Sequence, residues 1–270
     1  MSVRGQHLHI FIQSYADKFV RKVSTVFLVL DVQGITKQIG GLTAVHDVSI
    51  TLGENEILGL VGPNGAGKTT LLNMISGVSV PTSGTVKFFG DDITGLSADK
   101  VCKKGIAKTF QIALSFPGLS AKECVMVGAL FGHNRTVSQE QAASEADSIL
   151  RFVGMPPEKD GILIKNLNVV EMKKVQLARA LASQPKLLLL DELTTGLTPN
   201  ESAEAVGLIK KIRNRGISIL IIEHVMSVIM GVSDRIVVLD HGEKIADGKP
   251  HDVINDQRVI DTYLGEMEVF

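Results

Sequence analysis

Tryptophan is absent from this 270-residue chain and aromatic residues make up only 4% of it, which leaves little from which to build a base-stacking surface for nucleic acid. No single sign of charge dominates either. Lys and Arg number 28 against 29 Asp and Glu, so the net charge is −1 and a broad electrostatic grip on a polyanion is excluded. The two cysteines, Cys102 and Cys124, lie too far apart for a metal or redox spacing, and free thiols in a reducing compartment are expected. No run approaches the roughly 20 apolar residues that span a bilayer. The longest, residues 23–30, contains Ser24 and Thr25, stops at Asp31, and is not followed by the small-residue cleavage site of a secretory signal. If the chain serves a membrane, it does so through a partner. What is present is 44% hydrophobic and 21% charged residues, an ordinary globular composition with length for one large or two small domains.

Against that plain background one stretch stands out. Gly62-Pro63-Asn64-Gly65-Ala66-Gly67-Lys68-Thr69-Thr70 follows the apolar run Ile57-Leu58-Gly59-Leu60-Val61 and precedes Leu71-Leu72-Asn73-Met74-Ile75. It matches G-x-x-x-x-G-K-[ST] from Gly62 to Thr69 and reads as buried strand, glycine loop, helix. Glycines let consecutive backbone N–H groups approach phosphate oxygens that a Cβ would hold away. The helix starting near Lys68 adds the positive end of its dipole beneath the same phosphates. In this arrangement Lys68 reaches the β- and γ-phosphates and the Thr69 hydroxyl ligates Mg²⁺. The alternative is a glycine-rich turn without a ligand.

Taken in order, residues 1–26 read as an N-terminal extension. Leu8, Phe11, Ile12, Tyr15 and Phe19, with Lys18, Arg21 and Lys22, also allow a basic amphipathic helix lying on a membrane or a partner, but the extension is the favoured reading. Strands are expected over 27–32 and 44–50, separated by a Gly40-Gly41 turn, and over 85–89 after a turn at Thr82-Ser83-Gly84. Residues 97–183 are mostly helical, with 138–148 a solvated helix face. Apolar strands return over 186–190 and 218–222, covered on both faces, with an amphipathic helix over 201–215 between them. A hairpin turns at Asp240-His241-Gly242. This order predicts an α/β core with a parallel sheet and one helical insertion.

Two carboxylates, Asp191 and Glu192, close the run Leu187-Leu188-Leu189-Leu190. Acids at the carboxyl end of a buried strand pack poorly but suit chemistry. Asp191 would orient Mg²⁺, directly or through water, and Glu192 would polarise the water that attacks the γ-phosphate. Gln111, after Thr109-Phe110, would touch Mg²⁺ or that water. His224, after the strand and Glu223, suits a γ-phosphate contact, although a lone histidine there reads equally as a structural hydrogen-bonding residue.

In this order the glycine loop, Thr109-Phe110-Gln111, Asp191-Glu192, Thr195-Gly196-Leu197 and Glu223-His224 resemble an ATP-binding cassette (ABC) transporter ATPase over about residues 28–266. Three further stretches resemble the branched-chain amino-acid uptake group: Gly40-Gly41-Leu42-Thr43-Ala44-Val45, Ser115-Phe116-Pro117-Gly118-Leu119-Ser120 and Asp261-Thr262-Tyr263-Leu264-Gly265-Glu266. The resemblance implies an α/β fold: a P-loop NTPase core with a mainly parallel sheet, an antiparallel β subdomain and an inserted α-helical subdomain. The nucleotide-binding domain would run over 27–270, with the helical subdomain at about 97–183. It further implies ATP and Mg²⁺ as cofactors and a nucleotide sandwich with a second cassette, identical or related. The helical insertion would dock on transmembrane permease subunits, with a substrate-binding protein involved indirectly and no nucleic acid. The location implied is peripheral, on the cytoplasmic face of the cell membrane. Cargo other than branched-chain amino acids (urea or amides, lipid, lipopolysaccharide) and an ATP-binding regulatory module with little turnover are the alternatives.

The chain departs from the family pattern where the signature segment reads Leu167-Asn168-Val169-Val170-Glu171 in place of Leu-Ser-Gly-Gly-Gln. Asn168, Val169 and Val170 are nonetheless expected at a nucleotide, with Asn168 as N-cap and Glu171 closing a capping box. The position that usually holds an aromatic for adenine is Ile39, which offers apolar contact without stacking. Leu193 and Thr198 replace the usual Pro and Asp. These departures imply modest turnover unless partners are present.

Overall fold

A computed structural model of the chain describes residues 28–109, 116 and 118–267. The N-terminal extension over 1–26 and Gln111 lie outside the described residues.

Three short apolar strands make the centre: β3 (Ile57–Val61), β7 (Leu187–Asp191) and β8 (Ser218–Ile222), each buried along its whole length. Alternation along a strand sends successive side chains to opposite faces. Leu58, Leu60, Leu187, Leu189, Leu220 and Ile222 therefore fall in one hydrophobic cluster, and Ile57, Val61, Leu188, Leu190, Ile219 and Ile221 in the other. With both faces covered there is no alternating polar position, which is why these strands read as continuous hydrophobic runs. β6 (Ile106–Lys108), β9 (Arg235–Asp240) and β10 (Glu243–Gly248) complete a six-stranded sheet in the order β10-β9-β3-β8-β7-β6. All its neighbours are parallel except β10, which returns antiparallel to β9 through the turn at His241 and Gly242.

The first cluster is shared with the helix α1 (Lys68–Ile75) and with an antiparallel sheet. That sheet has the order β2-β1-β4-β5, from β1 (Leu28–Ile39), β2 (Leu42–Gly53), β4 (Ser83–Phe88) and β5 (Asp91–Asp92). The expected turn at Gly40-Gly41 joins β1 to β2. Ser83 and Gly84, expected in a turn, belong to β4 because Ser83 pairs with Thr36 of β1.

The second cluster is covered by helices. The stretch over 97–183 is mostly helical but not continuously so. After α2 (Ala98–Lys104) the chain forms β6, which pairs in parallel with β7, so residues 106–108 belong to the sheet. A three-residue strand leaves almost no periodic signal. Beyond it lie α3 (Ala121–Phe131), α4 (Gln139–Phe152) and α5 (Val169–Ala182). In α4 the solvated face over 138–148 is paired with a buried stripe of Ala142, Ala146 and Leu150 at helical spacing. The chain returns through β7, α6 (Pro199–Arg213), β8 and α7 (Met226–Val232), and ends in α8 (Pro250–Ile254) and α9 (Gln257–Met267). Proline at the first position of α6 and Thr198 as its N-cap start that helix ahead of residue 201. Among the described residues no helix is long and apolar enough to cross a membrane.

Leu189 is fully buried at the centre of the sheet. Leu189→Ala should lower the unfolding free energy by about 2–5 kcal/mol in denaturant titration. A change below about 1 kcal/mol would contradict the packing described here.

Candidate active site

The carboxyl ends of β3, β7 and β8 lie side by side, and the polar residues of the site sit just beyond them. After Val61 the chain turns through residues 62–67 into α1, and two glycines are required for geometric reasons. Gly62 has φ 144°, and a Cβ there would run into the carbonyl oxygen of Leu239 in β9. Gly67 has φ 96°, and its Cβ would lie 2.5 Å from the carbonyl oxygen of Ala44 in β2. The loop is thus wedged between both sheets. The hairpin turn fastens it: Gly242 N donates to Ala66 O at 3.2 Å, and His46 N donates to Gly242 O at 2.8 Å.

Among the described residues no side chain makes a capping hydrogen bond at the N-cap of α1, Gly67. The start of a helix, with its dipole and N–H groups, is a place suited to an anion. Lys68 is only 6% exposed. Its Nζ donates to the loop's own carbonyls, Gly62 O at 2.6 Å and Pro63 O at 2.7 Å, so the ammonium sits over the loop. Asn64, Gly65, Ala66, Gly67, Lys68, Thr69 and Thr70 line a cleft of about 470 Å³, and Glu192 and His224, just beyond β7 and β8, line it too. The structure brings together the residues expected to grip phosphate and those expected to act on it.

Asp191 ends β7 at 3% exposure. Its Oδ2 lies 3.4 Å from Lys108 Nζ, which also donates to Asn73 Oδ1 of α1 at 2.6 Å. Burial raises the Asp191 pKa, and Lys108 works against that rise. Burial likewise lowers the Lys108 pKa, with Asp191 opposing. Both shifts have the same origin, since desolvation disfavours either charged form. Asp191 Oδ1 is buried with no hydrogen-bond partner among the described residues. A buried acceptor in that condition is costly alone and is satisfied by a cation. Asp191, through Oδ1, and the Thr69 hydroxyl could hold Mg²⁺.

Glu192 leaves the sheet in a left-handed conformation, φ 53°. Its Oε1 lies 2.7 Å from His224 Nε2. In the Nε2–H tautomer the imidazole donates to this carboxylate. One residue earlier, Glu223 is 3% exposed. Its carboxylate accepts from Thr194 N at 2.7 Å and Thr194 Oγ1 at 2.6 Å. Burial raises the Glu223 pKa while those two hydrogen bonds lower it. The β7 and β8 loops are thus tied twice.

Other expected positions lie elsewhere. Ile39 pairs with Leu42 at the β1–β2 tip and is 56% exposed, outside the cleft lining. Leu42, Thr43, Ala44 and His241 line the cleft instead. None was foreseen, because their approach to the glycine loop depends on how the antiparallel sheet and the hairpin pack. Asn168, Val169 and Val170 begin α5 away from the cleft, with Val169 51% exposed. Their capping box is formed as expected: Glu171 N donates to Asn168 Oδ1 at 2.9 Å, and Asn168 N to Glu171 Oε2 at 3.0 Å.

Comparison with known proteins agrees with this geometry. Residues 45–195 match the family model described as ABC transporter, and residues 243–269 match that of the branched-chain amino acid ATP-binding cassette transporter. The high-affinity branched-chain amino acid transport ATP-binding protein LivG of Salmonella typhimurium is 37% identical over 253 residues, covering 88% of this chain and 98% of LivG. The lipopolysaccharide export system ATP-binding protein LptB of Haemophilus influenzae is 34% identical over 238 residues, covering 88% of this chain and 98% of LptB. Among solved structures, the ADP conformation of MJ1267, an ATP-binding cassette of an ABC transporter, superposes with a TM-score of 0.80 at 28% identity, covering 88% of this chain and 99% of that one. A dimeric post-hydrolysis state of the cassette MJ0796 bound to ADP and Pi gives a TM-score of 0.76 at 26% identity, covering 82% and 98%. A family model spanning more than half of the chain, and relatives matched over nearly their full length, lead to one conclusion: this chain belongs to the ABC transporter family and is one of its ATPases.

Proposed function

We propose that this chain is the ATP-hydrolysing subunit of an importer that takes up branched-chain amino acids through a membrane permease. The observation that carries the cargo is the match of residues 243–269 to the branched-chain amino acid cassette segment. LptB is a lipopolysaccharide export protein that matches as large a share of the chain, so lipopolysaccharide is the second reading; that C-terminal match favours the first.

ATP enters the cleft with its phosphates against the N–H groups of residues 62–70, and Lys68 turns from its own loop carbonyls to the β- and γ-phosphates. Thr69 and Asp191 would hold Mg²⁺, which would supply neutralisation of phosphate charge; Gln111, also expected there, lies outside the described residues. Glu192 orients and polarises water, whose oxygen bonds to the γ-phosphorus as the bond to the bridging β–γ oxygen breaks, giving ADP and phosphate. His224 Nε2 holds Glu192 before the nucleotide arrives and is the donor placed for the γ-phosphate afterwards. Leu42, Thr43 and Ala44 of the cleft lining are placed for apolar contact at the adenine end, and Ile39, expected in that role, would reach it only from the exposed tip beside Leu42. The start of α5, at Asn168, Val169 and Val170, caps the nucleotide of a second cassette, identical or related. The dimeric MJ0796 structure supports pairing of this kind. The helices inserted at about 97–183 dock on the permease, and closure of the pair becomes the stroke. The protein is then peripheral on the cytoplasmic face of the membrane, with a substrate-binding protein acting through the permease.

In the assembled transporter with Mg-ATP, Glu192→Gln should lower turnover by about a hundredfold or more; equal rates would remove Glu192 from its role. Lys68→Ala should abolish ATP-driven uptake of labelled leucine into proteoliposomes while leaving the circular-dichroism spectrum unchanged. Undiminished uptake would contradict the glycine-loop assignment. Uptake absent in the wild type, with lipopolysaccharide movement present, would select the second reading.

A further inference from the structure

The segment after β7 leaves the sheet at Glu192 and regains regular structure only at Thr198, the N-cap of α6. Backbone in such a segment has carbonyls that neither helix nor strand satisfies. Three of them converge on one side chain. Lys173 Nζ donates to Glu192 O at 3.2 Å, Leu193 O at 2.8 Å and Thr195 O at 2.5 Å. A lysine ammonium carries three donors and no acceptor, so the number matches.

The origin of this contact sets it apart. Other ties on the segment come from β8 and the two residues after it: Glu192 N donates to Ile222 O at 3.0 Å, Thr194 donates to Glu223, and His224 Nε2 lies 2.7 Å from Glu192 Oε1. Lys173 comes from α5, in the helical layer. Its head is half-buried, and although burial lowers its pKa, the nearby Glu223 and Glu192 favour the charged form. Lys173 does not line the phosphate cleft. It borders a separate cavity with Leu177, Leu193 and Leu197, where α5 meets α6.

We propose that Lys173 is a positioning residue: it clamps the backbone of residues 192–195 so that the Glu192 carboxylate faces the phosphate cleft, and it thereby makes the rate of hydrolysis depend on the seating of α5. The proposal rests on the role of Glu192 given above. Because the clamp acts on backbone around the carboxylate and touches nothing that grips phosphate, its loss acts on turnover and leaves binding in place. Arginine reproduces it only in part, since a planar fork suits two parallel acceptors better than three around a point.

Lys173→Met keeps the aliphatic stem and removes the donors. In the full chain assembled with its transporter partners, kcat should fall by about ten- to a hundredfold. KM for ATP and the nucleotide-induced thermal shift should stay within about twofold of wild type, and Lys173→Arg should recover part of the lost rate. Combined with Glu192→Gln, Lys173→Met should add little, because both act through one carboxylate. Wild-type kcat in Lys173→Met beside an inactive Glu192→Gln overturns the clamp and leaves the role of Glu192 standing. Normal turnover in Glu192→Gln overturns that role and the clamp with it. Parallel loss of kcat, KM and thermal shift, or full additivity in the double variant, reduces Lys173 to ordinary structural support and also overturns the proposal.

Discussion

Burying Asp191 at the end of a strand of leucines is the arrangement on which the rest of the site depends. β3, β7 and β8 are apolar except for Ser218 and Asp191 at strand ends, because helices and a second sheet cover both of their faces. Charge appears only where the strands end. Asp191 is held there against Lys108, and Lys108 is held in turn by Asn73 of the phosphate-loop helix. This chain of contacts links β6, β7 and α1, three elements distant in sequence. Breaking it by removing one partner would leave an uncompensated buried group, which costs far more than a surface ion pair returns.

Rigidity of the surrounding backbone follows from the same constraint. The phosphate loop is closely packed at its two ends, where Gly62 and Gly67 leave no space for a Cβ beside carbonyl oxygens of β9 and β2. The loop after β7 has room but is tied from two sides, by β8 through Ile222 and Glu223 and by α5 through Lys173. Preorganised donors and acceptors of this kind need little rearrangement as charge develops during phosphoryl transfer. The site is thus a fixed cradle facing a tethered carboxylate.

Much of this was legible from residues alone, and the reasons are local ones. The glycine loop declares itself by spacing, β7 and β8 by unbroken apolar runs, and the start of α5 by Asn168 and Glu171 at capping-box distance. The hairpin at His241 and Gly242 is equally plain. What escaped is non-local or short. β6 is three residues long and finds its identity only in pairing with β7. Lys108 reads as one surface lysine among many until that pairing sets it beside Asp191. Leu42, Thr43 and Ala44 reach the cleft because β2 packs on the glycine loop, whereas Ile39, the residue favoured by family pattern, sits at the exposed tip. Glu223 looks like a mere neighbour of His224, and only the fold shows that it holds Thr194.

The central claim is that main-chain amides at the start of α1 grip a triphosphate. The direct measurement is the thermal unfolding of the purified full chain with Mg²⁺ and increasing ATP. Selective binding to the folded state predicts a Tm that climbs with ATP concentration, the stabilisation reaching about 2.7 kcal/mol at roughly a hundred times Kd. A Tm that stays flat to millimolar ATP, in protein whose folding is intact, would contradict the account.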